Sequence, residues 1–222
     1  MDLSPILISL KTASLAICIT FFAGIAAAYF VINIRKEKIR ILMDGILTLP
    51  LVLPPTVAGF FLLYLFGVKR PLGKFFLEFF GVKIAFSWGA TVLAAVVLSF
   101  PLMYRSARGA FEQVDPNLAN AGRTLGMSEW RIFRHILFPN AISGILSGGI
   151  LAFARGLGEF GATAMIAGNI AGKTRTLPLA VYSEVAAGDM QGAYKYVCIL
   201  VLLSFLVVTG MNYATELAKR QR

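Results

Sequence analysis

Long apolar stretches dominate this sequence and restrict the folds that are open to it. A helix needs about 20 mostly apolar residues to cross a hydrocarbon core of about 30 Å. Four stretches meet that requirement, at about 13–34, 41–66, 84–104 and 194–214. A fifth, at about 141–167, is as long but contains Arg155 and Glu159. The sequence therefore predicts an all-α, polytopic transmembrane helical bundle of about five spans, or six, in a single domain over residues 1–222.

Composition excludes an ordinary soluble domain. Hydrophobic residues make up 58% of the 222 residues and charged residues 14%, against about 45–50% and about 25% in soluble domains. A formal net charge of +10 in so apolar a chain indicates cationic membrane anchors and not a nucleic-acid binder. Cys18 and Cys198 lie inside apolar stretches and His135 is the single histidine. We therefore expect no disulfide framework, no metal site and no His-based catalysis.

The basic residues indicate the orientation, because cytoplasmic loops carry an excess of Lys and Arg. One side of the predicted bundle collects twelve of the 21 basic residues: Arg35, Lys36, Lys38, Arg40, Arg105, Arg108, Arg123, Arg131, Arg134, Lys219, Arg220 and Arg222. The other side collects six: Lys69, Arg70, Lys74, Lys83, Lys173 and Arg175. The sequence therefore predicts an external N-terminus and a cytoplasmic C-terminus.

The second apolar stretch contains three prolines near its middle, Pro50, Pro54 and Pro55. An interior proline removes a backbone hydrogen bond and clashes with the preceding turn. In lipid, the carbonyls freed in this way must find partners in neighbouring helices or in a wet cavity. Discontinuous spans of this kind recur around transport pathways. Two interpretations remain open: a pathway element that includes Thr56, or a bent helix that serves only packing.

The fifth apolar stretch carries a pair of opposite charges, Arg155 and Glu159, spaced i and i+4. On a helix these side chains share a face and can pair. Ionisable groups at membrane depth usually face a cavity or one another. The pair either holds the bundle together or lies, with Gly161 and Thr163, beside a pathway for an anion.

The segment at about 105–140 interrupts the apolar pattern and is much longer than the 2–8 residues common between bundle helices. Asp115 predicts a helix start, Gly126 a break, and Ser128 a second start whose apolar spacing continues to Pro139. We expect two short helices that meet at the glycine and protrude into the cytoplasm. By pattern alone, an interfacial amphipathic helix pair explains the segment equally well.

This segment resembles the cytoplasmic motif of ABC importer permeases, which is E-A-A, three residues, Gly, nine residues, then I-x-L-P. Here Asn120 replaces the Glu, Gly122 the second Ala and Phe138 the Leu, while the spacing is kept throughout. In that family the element is the coupling helix that seats in a groove of the ATPase subunit. The resemblance implies a docking role for Asn120, Ala121, Gly122, Arg123, Leu125, Gly126, Ile136 and Pro139.

The resemblance extends across almost the whole chain. The stretches LPLVLPPTVAGFFLL and RGLGEFGATAMIAGNIAGKTRTLPLAVY are similar to the molybdate-type branch, with sulfate-type permeases and tungstate importers as near relatives. The phrase GEFGAT, with Phe160 beside Glu159, favours molybdate. The resemblance implies a homodimeric permease of the cell membrane, with two ATPase subunits inside and an oxyanion-binding protein outside. ATP and Mg²⁺ would then belong to the partner, and this chain would be no enzyme and bind no cofactor.

Residues 167–174, AGNIAGKT, match the loose form of a phosphate-binding loop. A true loop of that kind follows a strand and opens a helix, whereas this segment follows an apolar helical stretch on the predicted external side. We therefore expect no nucleotide binding there, and Lys173 and Arg175 are better suited to an external partner or an oxyanion. A self-sufficient secondary anion transporter is the competing interpretation, and it predicts transport by the chain alone.

Overall fold

The computed structural model describes residues 2–220, and every regular element in that part of the chain is helical. The all-α prediction is therefore confirmed. Arg222, counted above on the cytoplasmic side, lies outside the described residues. The elements are α1 (Ser4–Ile32), α2 (Glu37–Val52), α3 (Pro55–Phe66), α4 (Pro71–Phe80), α5 (Trp88–Glu112), α6 (Pro116–Thr124), α7 (Glu129–Ile132), a π-helical segment (Phe133–Leu137), α8 (Phe138–Leu157), α9 (Gly161–Ala167), α10 (Leu177–Ala186) and α11 (Met190–Arg220).

The helix lengths agree with about five membrane spans. Within residues 2–220, four helices are long and apolar enough to cross a membrane: α1, α5, the continuous run Glu129–Leu157, and α11. The pair α2 and α3 makes a fifth if it is counted as one span bent by 110°. Helix α5 is the central one, since 61% of its apolar window is buried inside the chain, against 6% for α11.

Helices α1 and α5 run parallel, side by side. The Thr12 and Thr91 hydroxyls hydrogen-bond at 2.8 Å and those of Thr20 and Ser99 at 3.3 Å, in both cases 79 residues apart. Because the sequence separation of the paired residues is the same at both positions, the two helices run in the same direction. The chain must therefore cross back between them, and α2 with α3 supplies that crossing.

Small residues allow the helices to approach closely inside the chain. A Cβ atom added to Gly24 of α1 would lie 2.6 Å from Met103 Cγ of α5, and one on Gly144 of α8 would lie 2.7 Å from Ala110 Cβ. Small residues serve this purpose in membrane bundles. At these two positions the glycines therefore serve packing within the bundle.

The second span is broken where its prolines predict. Pro50 lies inside α2, Pro54 immediately precedes α3, and Pro55 opens α3. A proline in the first turn of a helix removes no needed donor, because the first amides of a helix have no intrahelical partner. The discontinuity at Leu53 and Pro54 is thus built into the sequence.

Two predicted boundaries were wrong. The helix expected to stop at Pro139 continues from Glu129 to Leu157, through the π-helical segment just before the proline. A π-helical turn pairs residues five apart, and this local change of register precedes a residue whose nitrogen carries no hydrogen. The stretch predicted as one span over 141–167 is instead interrupted between α8 and α9. The second short helix of the cytoplasmic segment is therefore the beginning of a membrane helix.

Candidate functional site

A buried carboxylate joins α8 to α9. Glu159 is 2% exposed, and its Oε2 accepts a hydrogen bond of 2.6 Å from Arg155 Nη1. Its other oxygen, Oε1, accepts one of 2.7 Å from the backbone amide of Ala162. The ion pair expected from the i, i+4 spacing is present, although Glu159 lies beyond the end of α8. The carboxylate therefore satisfies an amide that the first turn of α9 leaves without an intrahelical partner.

The break in the second span meets the break at Glu159. A Cβ atom on Gly161 would lie 3.0 Å from Pro55 Cβ and 3.2 Å from the Thr56 nitrogen. One on Gly59 would lie 2.6 Å from Ala162 Cα. Both glycines are therefore required for α3 and α9 to touch at this distance. The structure brings together two interrupted helices that are about 100 residues apart in sequence.

The remaining pathway candidates are placed differently. Pro50 lies on α2, before the break, and the ring of Phe160 contacts Tyr182 of α10 at 5.3 Å. The Thr163 side chain is buried within the chain, whereas Thr56 is exposed and Arg155 is 29% exposed. Among these candidates, Thr56 and Arg155 are the ones that offer exposed polar groups. A transport role for any of them stays a prediction.

The cytoplasmic segment forms a helical knob, defined here as residues 113–132. Asp115 caps α6, because its Oδ1 accepts a hydrogen bond of 2.9 Å from the Asn117 amide. Gly126 has φ of +75°, a conformation that glycine adopts readily. The backbone carbonyl of Ser128 accepts from the Ile132 amide at 2.9 Å, whereas the Ser128 side chain makes no capping bond. The predicted start and break are confirmed.

An exposed polar cluster ties the two helices of the knob together. Arg123 donates from Nε to Glu129 Oε1 at 2.8 Å and from Nη2 to Glu129 Oε2 at 3.1 Å. Its Nη1 donates to Asn120 Oδ1 at 2.9 Å. The hydrogen bonds between Arg123 and Glu129 raise the pKa of Arg123 above its usual value and lower the pKa of Glu129 below its own, so the pair stays ionised. No pattern in the sequence indicates this role of Glu129, because a contact across a turn has no helical spacing.

The residues of the coupling motif form two groups: some are exposed, and others pack between the helices of the segment. Asn120, Ala121 and Leu125 are exposed, Leu125 by 81%. Gly122 is buried, and a Cβ atom there would lie 2.9 Å from Ile136 Cδ1. Ile136 and Pro139 are themselves partly buried. Gly122 and Ile136 thus pack α6 against the following helix. The exposed motif residues form the surface that a partner could contact.

A second polar network, absent from the sequence analysis, joins α2 to α5. The hydroxyl of the fully buried Tyr104 donates to Asp44 Oδ1 at 2.9 Å. Arg108 pairs with the same carboxylate and with Glu112 at 2.8 Å. None of the 16 residues of α2, all of them described, is buried. This network therefore adds a specific polar attachment to a helix whose side chains are at most partly buried.

The segment that resembles a phosphate-binding loop has a structural use. It follows α9 and not a strand. The Thr174 side chain is fully buried, and its hydroxyl accepts from the Ile170 amide at 3.0 Å. Arg175 Nε donates to Asn169 Oδ1 at 2.9 Å. The hydroxyl that would help to hold Mg²⁺ in a true loop closes this turn instead.

Comparison with known sequences identifies the family. Residues 20–220 match the family described as binding-protein-dependent transport system inner membrane component. The chain belongs to that family. The permease is 44% identical over 217 residues to the molybdenum transport system permease protein ModB of Escherichia coli K12, covering 97% of this chain and 94% of that protein. It is 38% identical over 205 residues to the putative molybdenum transport system permease protein YvgM of Bacillus subtilis, covering 92% and 90%.

Solved structures share the fold of the permease. The inward-facing MetNI methionine ABC transporter superposes with a TM-score of 0.75 at 16% identity, covering 96% of this chain and 93% of that one. A bacterial ABC transporter involved in alginate import gives 0.75 at 13% identity, covering 96% and 78%. The permease is therefore a multi-pass protein of the inner membrane with the helical fold of ABC transporter permeases.

Proposed function

We propose that this permease is the membrane subunit of an ATP-driven importer of molybdate. The observation that carries the proposal is the 44% identity, over 97% of the chain, to a protein named for molybdenum transport. In this proposal two copies enclose the pathway, two ABC ATPase subunits bind the cytoplasmic knobs, and an external oxyanion-binding protein delivers the substrate. The N-terminus is external and the C-terminus cytoplasmic.

The knob supports the coupling part of the proposal. Helix α5 leads into it at Glu112, and the continuous helix Glu129–Leu157 leads out of it. A displacement of the knob is therefore carried by two membrane helices, the second of which ends next to Glu159. ATP and Mg²⁺ lie on the partner, and the use of Thr174 to close its own turn agrees with that division.

The two interrupted helices support the pathway part of the proposal. A tetrahedral dianion needs positive charge or hydrogen-bond donors, and the exposed Thr56 together with the partly exposed Arg155 offers both. Because Glu159 already pairs with Arg155, a passing anion competes with the carboxylate and is held weakly. Weak binding suits transport, because the substrate must also be released. ATP and substrate must each favour one of two conformational states by a difference in binding free energy. Selectivity then resides in the external binding protein.

Reconstitution tests the assignment. We expect the purified permease, assembled in liposomes with its ATPase subunits and binding protein, to take up labelled molybdate only with ATP. Tungstate and sulfate are measured in parallel. Uptake of sulfate in preference to molybdate would overturn the substrate assignment. Ion-gradient-driven uptake by the permease alone would instead show a secondary transporter.

The exposed Leu125 allows docking to be tested apart from folding. Because its side chain is 81% exposed, Leu125→Ser should leave the thermal stability of the permease unchanged. We expect it to reduce co-purification of the ATPase subunits and ATP-driven uptake together, by about tenfold for a well-packed apolar contact. Thr124→Ser, at the neighbouring exposed position, is the matched control. Normal ATPase association in the Leu125 variant would count against docking at this surface.

A further inference from the structure

An apolar groove of about 530 Å³ runs between α1 and the helix that leaves the knob. Its walls include Phe22, Ile25 and Tyr29 on α1 and Phe133 on the facing helix. Phe22 and Tyr29 are separated by about 10 Å along the helix, at about 1.5 Å per residue. They lie in the half of α1 that ends at Ile32, so the groove lies at hydrocarbon depth in the leaflet on the side of the knob. We call this surface the aromatic groove.

The end of the aromatic groove near the knob carries unpaired positive charge. Arg134 is exposed and lines the groove itself. A second cavity of about 710 Å³ adjoins it at Tyr29 and is lined by Arg35, Arg123 and Glu129. Arg123 is neutralised by Glu129, but neither Arg35 nor Arg134 makes an ion pair within the described part of the chain. Guanidinium groups bind phosphate through paired hydrogen bonds.

Two further observations point to a ligand at the membrane surface. Trp130 is 67% exposed and stacks on Phe133 at 5.4 Å, and exposed indoles are typical of the boundary between lipid and water. The helix is π-helical over Phe133–Leu137, and such segments are frequent at functional sites. There the ring of Phe133 lies 4.6 Å from that of Tyr29, while Arg134 stays exposed.

We propose that the aromatic groove binds one anionic phospholipid from the leaflet on the side of the knob. An acyl chain lies along Phe22, Ile25 and Phe133, and the phosphate group is held by Arg134 and Arg35. A zwitterionic lipid fits the apolar part equally well but gains less from two cations, since each basic side chain near the surface attracts net negative charge. The site requires only that the chain spans a membrane and does not depend on which oxyanion is transported.

Native mass spectrometry of the full chain, released from nanodiscs of equal phosphatidylglycerol and phosphatidylcholine, tests the proposal. We expect one retained phosphatidylglycerol in excess over phosphatidylcholine. Arg134→Gln should lower that excess about fivefold, because Arg134 is exposed and its loss does not disturb packing. Lys38→Gln removes a charge from an exposed position in the first turn of α2 and should change nothing. Equal retention of the two lipids, or the same effect of both variants, would overturn the proposal.

Location and ligand class are tested separately. A phosphatidylglycerol with a photoreactive acyl chain should label peptides covering 21–29 and 130–138, and labelling elsewhere would contradict the site. Excess inorganic phosphate should not displace the lipid, because it lacks the acyl chain, and displacement would show a site for the phosphate group alone. Crosslinks from these peptides to a second copy or to an ATPase subunit, in place of lipid, would show a protein interface there.

Discussion

Glu159 holds two helix ends through two different kinds of bond. One oxygen pairs with Arg155 and the other accepts from a backbone amide. An amide side chain in its place still offers one acceptor oxygen but loses the negative charge. A buried carboxylate without charge compensation is costly, which explains why the two residues occur together.

Glu159→Gln separates the structural use of the pair from a transport use. We expect the variant to insert normally and to lose about 1.5–3 kcal/mol of stability, the usual range for a hydrogen bond to a charged group. Uptake should fall by more than the thermal shift explains. Thermal unfolding in detergent and ATP-driven uptake are the two measurements. Glu78→Gln, at an exposed position on α4, is the control, and normal uptake by the Glu159 variant would leave the pair a purely structural role.

Gly161 allows α3 and α9 to touch. A Cβ atom there meets Pro55 Cβ at 3.0 Å and the Thr56 nitrogen at 3.2 Å, and a backbone atom cannot move aside as a side chain does. Gly161→Ala should destabilise the permease by about 1–3 kcal/mol through overpacking. Gly45→Ala is a matched control, since a Cβ there meets nothing within 4 Å and alanine favours a helix. A lower unfolding temperature in both variants would contradict this explanation.

At the scale of helices, the contacts of Asp44 attach α2 to α5, in addition to the apolar packing of α2 against the core. Its carboxylate receives Tyr104 and Arg108 of α5, and α5 continues to the base of the knob. We therefore expect movement of the knob to reach α2 through this network, and to reach α3 from α2 across the proline break. Asp44 thus links the cytoplasmic surface to the interrupted span.

Exchange of the two charges tests that link. Asp44→Arg and Arg108→Asp should each lower ATP-driven uptake several-fold, while ATPase co-purification stays normal. The double variant Asp44→Arg with Arg108→Asp should recover part of the loss, because the pair is restored in reverse and both side chains are partly exposed. Additive losses in the double variant would show that the pair carries no coupling, as the logic of a mutant cycle requires.

Local sequence signals predicted only local features. Asp115, Gly126 and the prolines of the second span act within a few residues, and the structure contains the cap, the turn and the break that they predict. The network at Asp44 joins residues 60 apart, and no spacing rule reports such a contact. The interruption before Gly161 was missed because the i, i+4 spacing of the two charged residues ahead of it fits a continuous helix.

The proline rule failed at Pro139 for a physical reason. A proline ends a helix when its missing hydrogen and its ring disrupt the preceding turn. Here that preceding turn is π-helical, so the usual α-helical pairing is already altered before the proline. The pathway and docking roles of the predicted residues remain predictions, because they depend on partner chains.

At the scale of the molecule, the contacts fix the relative directions of the spans. Helix α11 runs parallel to α1, since Tyr196 near its start donates to the Asp2 carbonyl and Met211, further along, packs against the apolar cluster that contains Ala13. Helices α1, α5 and α11 therefore point one way, and the α2–α3 pair and α8 return. This arrangement agrees with the unequal distribution of basic residues between the two sides.

Cysteine labelling tests the resulting topology. In a Cys18→Ala and Cys198→Ala background, Lys38→Cys should react with an impermeant maleimide only after the membrane is opened. Lys74→Cys, on α4, should react in intact cells. The two positions lie at opposite ends of the α2–α3 crossing, so the measured reactivities must differ. Reaction of both cysteines from one side would contradict this crossing and, with it, the parallel arrangement of α1 and α5.

The bond between Tyr196 and Asp2 also has a consequence for biosynthesis. Its two residues are 194 apart in the chain, and ribosomes add about 5–20 residues per second. The first helix is therefore in the membrane for about 10–40 s before this contact can form. During that time its Thr12 and Thr20 hydroxyls depend on α5 for partners. Because α5 is synthesised before α8 and α11, the nascent chain contains a hydrogen-bonded pair of helices, α1 and α5, around which the later helices can assemble.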